Sequence, residues 1–324
     1  MRRREFIGLL GGAVIAWPGS SRADKPGRIW RVGIVQGTGT EQLAKELESR
    51  LGDLGYADGK NIVLMKQFAE PNLQAVENAI SSLIPDIDLL VVGGTVGGVA
   101  AKKLAAAKPV VFISVGAPVE IGLVESLSRP GGNMTGITFE AATETYAKRL
   151  QILKEIVPEV KRVAVLQAQG DANAKFAMAS LEKAAPDLGV QLAPISAGSS
   201  GELAAAFNEM ERSQSGALIV IAGLLTYGNG QQIADLALAH RLPSCHAFRE
   251  TVALGGLASL GPDLMAVWGQ AAGYIDQIIR GTESRELPVQ QPTRYEFAIN
   301  LKTAKALGLT LPPSLLARAD VVIE

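Results

Sequence analysis

The sequence predicts an α/β protein made of two similar doubly wound parallel-sheet lobes joined by a three-strand hinge. Three observations carry this. From Trp30 onward, short apolar runs rich in valine and isoleucine alternate with segments of helical spacing. The run RVGIVQ, Arg31 to Gln36, returns as RVAVLQ, Arg162 to Gln167, 131 positions later. The runs are apolar throughout rather than alternating, so each sheet must be covered on both faces.

Residues 1–23 come before this pattern. They combine a basic start (Arg2, Arg3, Arg4), an apolar run of 12 residues from Phe6 to Trp17 and the small-residue end Ser21-Arg22-Ala23. A membrane-spanning helix needs about 20 apolar residues, so this run is too short to anchor the chain. The three parts are those of a secretory signal peptide, expected to be cut after Ala23. Within it, Arg3-Arg4-Glu5-Phe6-Ile7 resembles the twin-arginine export address. A periplasmic location follows.

In the first half, Arg31 to Gln36 reads as a buried strand. A helix over Glu41 to Leu54 places Leu43, Leu47, Leu51 and Leu54 on one face, and Gly55 supplies a left-handed cap. A strand (Asn61 to Gln67), a helix (Leu73 to Ile84), a strand (Asp88 to Val92), a helix (Val96 to Ala107) and a strand (Val110 to Val115) follow. The second half repeats the plan. Leu188-Gly189 stands 134 positions after Leu54-Gly55, Leu242-Pro243 stands 134 after Lys108-Pro109, and ALIVIA (217–222) takes the place of DLLVV. A turn and extended segment, RPGGNMTGI, connects the halves. The chain then runs through Gly255 to Leu260, a helix (Leu264 to Arg280), a proline-rich link (Leu287 to Pro292), a strand (Glu296 to Asn300) and a terminal helix from Leu301. The expected division is 28–140 plus 262–288 for the N-terminal lobe and 141–261 plus 289–324 for the C-terminal lobe. The chain would then cross between lobes three times, which makes a hinge.

Bulk properties agree. A chain of 324 residues, 48% hydrophobic and 19% charged, is too long for one ordinary core. Removing residues 1–23 takes four arginines and one glutamate from 31 basic and 32 acidic residues, leaving 27 and 31, a net charge of −4. That balance excludes a nucleic-acid footprint. The single cysteine, Cys245, excludes an intramolecular disulfide.

RVGIVQ, LGYADGKNIVL, SLSRPGGNMTGI, GGLASLGPD, INLKTAKALGL and LLARAD together resemble the substrate-binding component of bacterial ABC importers. The nearest group is the tryptophan/tyrosine-type binding proteins, with a more distant likeness to the branched-chain amino-acid binders. The likeness runs from about Ile29 to Glu324. It implies the type I periplasmic binding protein fold, a small organic ligand such as an amino acid or related carboxylate, and inner-membrane ABC permease subunits as partners. A two-lobed sensor acting on a signalling partner is the alternative. A monomer is expected. The sequence departs from the group's usual pattern at three places: Ala117 stands where an aspartate is common, His246-Ala247 where Tyr-Pro is common, and Leu260 where an aromatic is common. A cleft poorer by one acid and two rings is expected from this.

Ligands of open parallel sheets sit beyond the carboxyl ends of the strands. The expected contacts on the first lobe are therefore Gln36, Gly37, Thr38, Gly94, Thr95, Val96, Val115 and Gly116. On the second they are Gln167, Gly223, Leu224, Tyr227, His246, Phe248 and Leu260. Gly93-Gly94-Thr95-Val96-Gly97 ends a strand and opens a helix, so its N–H groups and the helix dipole suit a carboxylate, with Thr95 as cap or ligand donor. Gln36 and Gln167 hold equivalent positions and are expected to face each other. Each could instead cap its own helix. No G-x-G-x-x-G, Walker loop, G-x-S-x-G or H-E-x-x-H occurs. His240 lies at a helix end, and Cys245 and His246 point to opposite faces of a strand. No catalytic residue, metal or cofactor is expected.

Overall fold

A computed structural model describes residues 28–140 and 144–324. The leader 1–23 lies outside the described residues. The first half runs β1 (Trp30–Gly37), α1 (Glu41–Asp53), β2 (Ile62–Ala69), α2 (Leu73–Leu83), β3 (Leu89–Gly93), α3 (Gly94–Leu104), β4 (Val110–Val115) and β5 (Met134–Thr138). Its strands form one sheet, β2-β1-β3-β4-β5, parallel throughout.

The second half runs α4 (Glu144–Ile156), β6 (Arg162–Ala168), α5 (Ala174–Ala184), β7 (Gln191–Ala197), α6 (Leu203–Arg212), β8 (Ala217–Val220), α7 (Leu224–Gly228), α8 (Gly230–Ala239), β9 (Ser244–His246), α9 (Arg249–Ala253) and β10 (Ala258–Gly261). Then come α10 (Leu264–Ile279), β11 (Glu296–Asn300), α11 (Leu301–Ala306), α12 (Pro313–Leu316) and β12 (Val321–Ile323). The second sheet has the order β12-β11-β10-β9-β8-β6-β7, with β11 antiparallel to β10. From β7 to β10 it repeats the strand order of the first sheet.

The repeat extends to single hydrogen bonds. The carbonyl of Pro109, just before β4, accepts from Leu90 N–H at 3.0 Å, and its counterpart Pro243, just before β9, accepts from Leu218 N–H at 2.8 Å. A proline has no N–H of its own, so its carbonyl begins the ladder. Gly55 and Gly189 both take positive φ, +90° and +62°. One helix start differs from the sequence expectation. α3 begins at Gly94 rather than Val96, because Gly94 at φ +72° turns the chain straight from strand into helix.

Alternate residues of the central strands feed opposite faces. In the first sheet Val32, Ile34, Leu89, Val91, Val111 and Ile113 pack under Leu43, Leu47 and Leu51 of α1 and Trp268, Ile275 and Ile278 of α10. Val35, Leu90, Val92, Val110 and Phe112 pack under α2 and α3. In the second, Val163, Val165 and Cys245 face α4 and α5, while Ala164, Leu166, Leu218 and Val220 face α6 and α8. Each of the valine, leucine, isoleucine and phenylalanine side chains among them contributes about 1.5 to 3 kcal/mol on burial.

α10 lies on the first sheet although it follows the last parallel strand of the second. The chain therefore passes between the sheets after β5, after β10 and before β11. The first and third passages are tied together: Thr138 N–H donates to Gln290 O at 2.9 Å and Gln290 N–H to Gly136 O at 2.9 Å. The first and second are joined through α4. There Arg149, fully buried, donates to Glu140 Oε1 at 2.8 Å and, through Nε, to Leu260 O at 2.8 Å. Burial pushes the Glu140 carboxyl up, Arg149 draws it back, and the short bond keeps the two as an ion pair.

Candidate functional site: the cleft between the sheets

The carboxyl ends of both sheets meet face to face and touch. A Cβ added to Gly39 would lie 2.6 Å from Gly228 O, and one added to Gly116 would lie 2.2 Å from Asn173 Oδ1. Between these contacts lies a cavity of about 30 Å³. Thr40, Leu43, Gly94, Thr95, Ser114 and Phe139 line it from the first lobe and the first passage, Ala222, Gly223, Leu224, Tyr227 and Phe248 from the second lobe, and Leu264 and Trp268 from α10. Leu224 holds it small: its side chain rests on Gly37 and Gly94, where added Cβ atoms would meet it at 3.3 and 2.8 Å. A ligand must displace Leu224 or part the lobes.

Its wall is apolar and ring-rich. Phe248 stacks edge-on against Phe139 (centroids 5.9 Å apart) and Tyr227 (5.6 Å), geometry that suits the ring quadrupoles. Phe139, Tyr227, Phe248 and Trp268 give the cavity four rings. Tyr227 and Phe248 are the rings the sequence offered; Phe139, just past β5, and Trp268, on α10, add two that it did not.

Polar groups at the cavity's first-lobe wall lack protein partners. Among the described residues, Trp268 Nε1, Gln36 Nε2 and Ser114 Oγ are buried without a hydrogen bond. Trp268 and Gln36 flank Gly93, the N-cap of α3: a Cβ there would meet Trp268 Cζ2 at 2.9 Å and Gln36 Cγ at 3.6 Å. Thr40 Oγ1, with a single proton to donate, lies 2.7 Å from both Gly37 O and Gln36 Oε1. Whichever it serves, one polar atom of the Gln36 amide stays free. Ser114 sits at φ +59°, where the β4–β5 register shifts. This bulge re-aims its hydroxyl.

The sequence candidates divide accordingly. Gly94, Thr95, Gly223, Leu224, Tyr227 and Phe248 line the cavity, and Gly37 and Gly116 make its rim contacts. Thr95 is no helix cap. Its hydroxyl accepts Gly116 N–H at 3.1 Å, which pins the β4 loop to α3. Val96 and Val115 are buried in the first lobe's own core. Thr38 donates its N–H to Ala69 O at 3.0 Å, an edge contact. Leu260 contributes its carbonyl to Arg149 rather than a side chain to the cleft. Gln167 does not face Gln36: its Nε2 donates to Ser196 Oγ on the neighbouring strand β7 at 3.1 Å. His246 is buried behind Phe248, bonded to Ser244 Oγ at 3.0 Å, and desolvation holds its pKa down at about 4. Cys245 points the other way into the core toward α4, and burial pushes its thiol up to about 12.

Sequence reasoning missed Trp268, Phe139 and Ser114. Only the hydroxyl of Ser114 inside the apolar run VVFISV was a usable signal.

Two doubly wound lobes meeting at a ring-lined cavity define a two-lobed small-molecule-binding protein. The chain belongs to the ABC transporter substrate binding protein family, whose profile matches residues 31–323. It is 25% identical over 277 residues to a tyrosine-binding protein of Clostridioides difficile, covering 85% of this chain and 79% of that one. A conserved domain protein from Vibrio cholerae superposes with a TM-score of 0.84 at 27% identity, over 91% of this chain and 100% of that one. A pneumococcal ABC domain solved in complex with L-Trp shares the fold, with a TM-score of 0.82 at 22% identity over 91% of this chain and 100% of that one. Among the described residues no helix is long and apolar enough to cross a membrane.

Proposed function

We propose that the protein is the extracytoplasmic solute-binding component of an ABC importer. It closes its two lobes on a small organic ligand, an amino acid or related carboxylate, and hands it to an inner-membrane permease. The observation that carries this reading is the cavity where the two carboxyl edges meet, with rings on its walls and unused hydrogen-bonding atoms beside the start of α3. The rings suit an aromatic or other apolar body. The first N–H groups of α3, together with Trp268 Nε1, suit an anionic head. The tyrosine-binding relative and the L-Trp-bound neighbour point to the same ligand class.

In this reading the lobes comprise residues 28–140 plus 262–288 and 141–261 plus 289–324. The leader directs the chain to the periplasm and is cut after Ala23, and the receptor works as a monomer. Closure is a hinge motion, and the ligand shifts the open–closed equilibrium by the contacts it makes only in the closed state. A thermal-shift screen of the exported protein against amino acids, aromatic acids, small carboxylates and amides tests this. A ligand at 100 times its Kd should stabilise the fold by about 2.7 kcal/mol. A flat response across the whole panel counts against a receptor.

A further inference from the structure

The two lobes touch at equivalent places in their repeat. α3 and α7 each follow the third strand of their half, and each has a glycine N-cap, Gly93 and Gly223. The first helical residues differ: Gly94 opens α3 and Leu224 opens α7. Gly94 stands at φ +72°, a conformation that favours glycine. The Leu224 side chain fills the space left there, with its Cγ 2.8 Å from where a Cβ on Gly94 would stand. Its own Cβ lies 3.3 Å from the same point on Gly37.

Leu224 therefore belongs to one lobe and packs in the other. It rests on the first-lobe core that holds Val35, Val92 and Val96, whereas Leu225, the next residue, is buried in the second lobe's own core. Thr226 also turns inward, its hydroxyl donating to Ile221 O at 2.7 Å. The far end of α7 meets the first lobe again: a Cβ on Gly228 would lie 2.4 Å from Thr38 O. The helix thus lies across the turn at 37–39 with both ends against it, anchored to its own lobe by the residues between. Apolar surface that leaves water only when the lobes meet favours the closed state. The same side chain occupies the space a large ligand needs, and a cavity of about 30 Å³ is what remains.

We propose that Leu224 is an apolar latch between the lobes that also sets the size limit of the ligand, so that the site selects a compact aliphatic amino acid or carboxylate over one with an aromatic ring. The size limit rests on the receptor reading above; the latch does not. A small apolar body fits among the four rings while Leu224 stays on Gly37 and Gly94. A bulky ring must push Leu224 off both glycines, and closure then loses the contact that favoured it. Two properties of one side chain are therefore coupled: shortening it weakens closure and widens the site.

The test is calorimetry on the exported protein with two size series: L-alanine and L-valine against L-tyrosine and L-tryptophan, and isovalerate against indole-3-propionate. Within whichever series binds, wild type should hold the small members at least about tenfold more tightly than the large ones, and Leu224→Ala should narrow that ratio to about threefold or less. The narrowing should come from both sides, with the small members weakened and the large ones tightened. A residue that served stability alone would move every affinity in one direction and leave the ratio unchanged. Solution scattering tests the latch without any ligand: Leu224→Ala should have a larger radius of gyration than wild type. If Leu224→Ala does not fold, the wild-type size ratio decides alone. A wild-type preference for the large members overturns the proposal while the receptor reading stands. A ratio unchanged in Leu224→Ala overturns the size limit, and an unchanged radius of gyration overturns the latch. If nothing in either series binds but the radius grows, the receptor reading and the size limit fail and the latch stands.

Discussion

The two halves of the chain carry the same loop after their first strands, QGTGT at 36–40 and QAQGD at 167–171, and put it to different uses. Gln36 is 1% exposed, lies under the cleft and leaves one amide atom free, whereas Gln167 reaches sideways to Ser196. Gly39 and Gly170 both take left-handed φ, +80° and +77°, but only Gly39 lies against the opposite lobe. Thr40 and Asp171 end the pair, a neutral hydroxyl on one side and an unpaired carboxylate on the other. The repeat preserves what a parallel sheet requires, the apolar strand and the tight turn. It leaves the side chains that point into the cleft free to diverge. The first lobe's wall became neutral and donor-rich, and the second kept the buried charge.

The largest effect expected from this asymmetry is at the second lobe's hinge. Arg149→Met strands Glu140 and should lower stability by about 3 to 5 kcal/mol in chemical denaturation, with Glu140→Gln in the same background restoring most of it. A loss of only a few tenths would mean that the pair does not hold the passages together.

Acid should separate the halves next. His246 holds its pKa at about 4, while its first-half counterpart Phe112 cannot titrate. Between the ordinary imidazole value and pH 4 the unfolded chain takes up a proton that the folded chain refuses, so this stability is present above pH 6.5 and lost as pH falls. The loss is on the order of 3 kcal/mol. His246→Phe should remove it, which would appear as a flatter pH dependence of Tm.

The two glycines give a sharper contrast. Gly39→Ala and Gly170→Ala should each lose about 1 to 2 kcal/mol to left-handed strain. Only Gly39→Ala should also hold the lobes apart, measured as weaker ligand binding and a larger radius of gyration in solution scattering. Equal binding by both variants would mean that the rim contact does not gate closure.

The smallest effect compares the glutamines. Gln36→Leu should weaken the ligand identified by the thermal screen by about 0.5 to 1.5 kcal/mol, the range of one neutral hydrogen bond. Gln167→Leu should leave it unchanged, since Gln167 bonds within its own sheet.

The strand runs, the helical faces and the 131- and 134-residue offsets were legible in the sequence because they reflect local periodicity and the need to cover both faces of a sheet. The same is true of the loops at the carboxyl edges, whose place follows from strand direction alone. Thr95 shows the limit of that reading: the turn was legible, but its hydroxyl went to Gly116 N–H, a partner supplied by another strand. Trp268 and Phe139 were not legible as cleft residues. Trp268 reaches the site only because α10 crosses back to the first sheet, and Phe139 because the first passage leaves β5 along the cleft. By itself, then, the sequence determined two doubly wound sheets and the edge at which a ligand binds. Only the tertiary structure decided which side chains meet there, because those contacts depend on how three passages set one lobe against the other, and no local pattern encodes that.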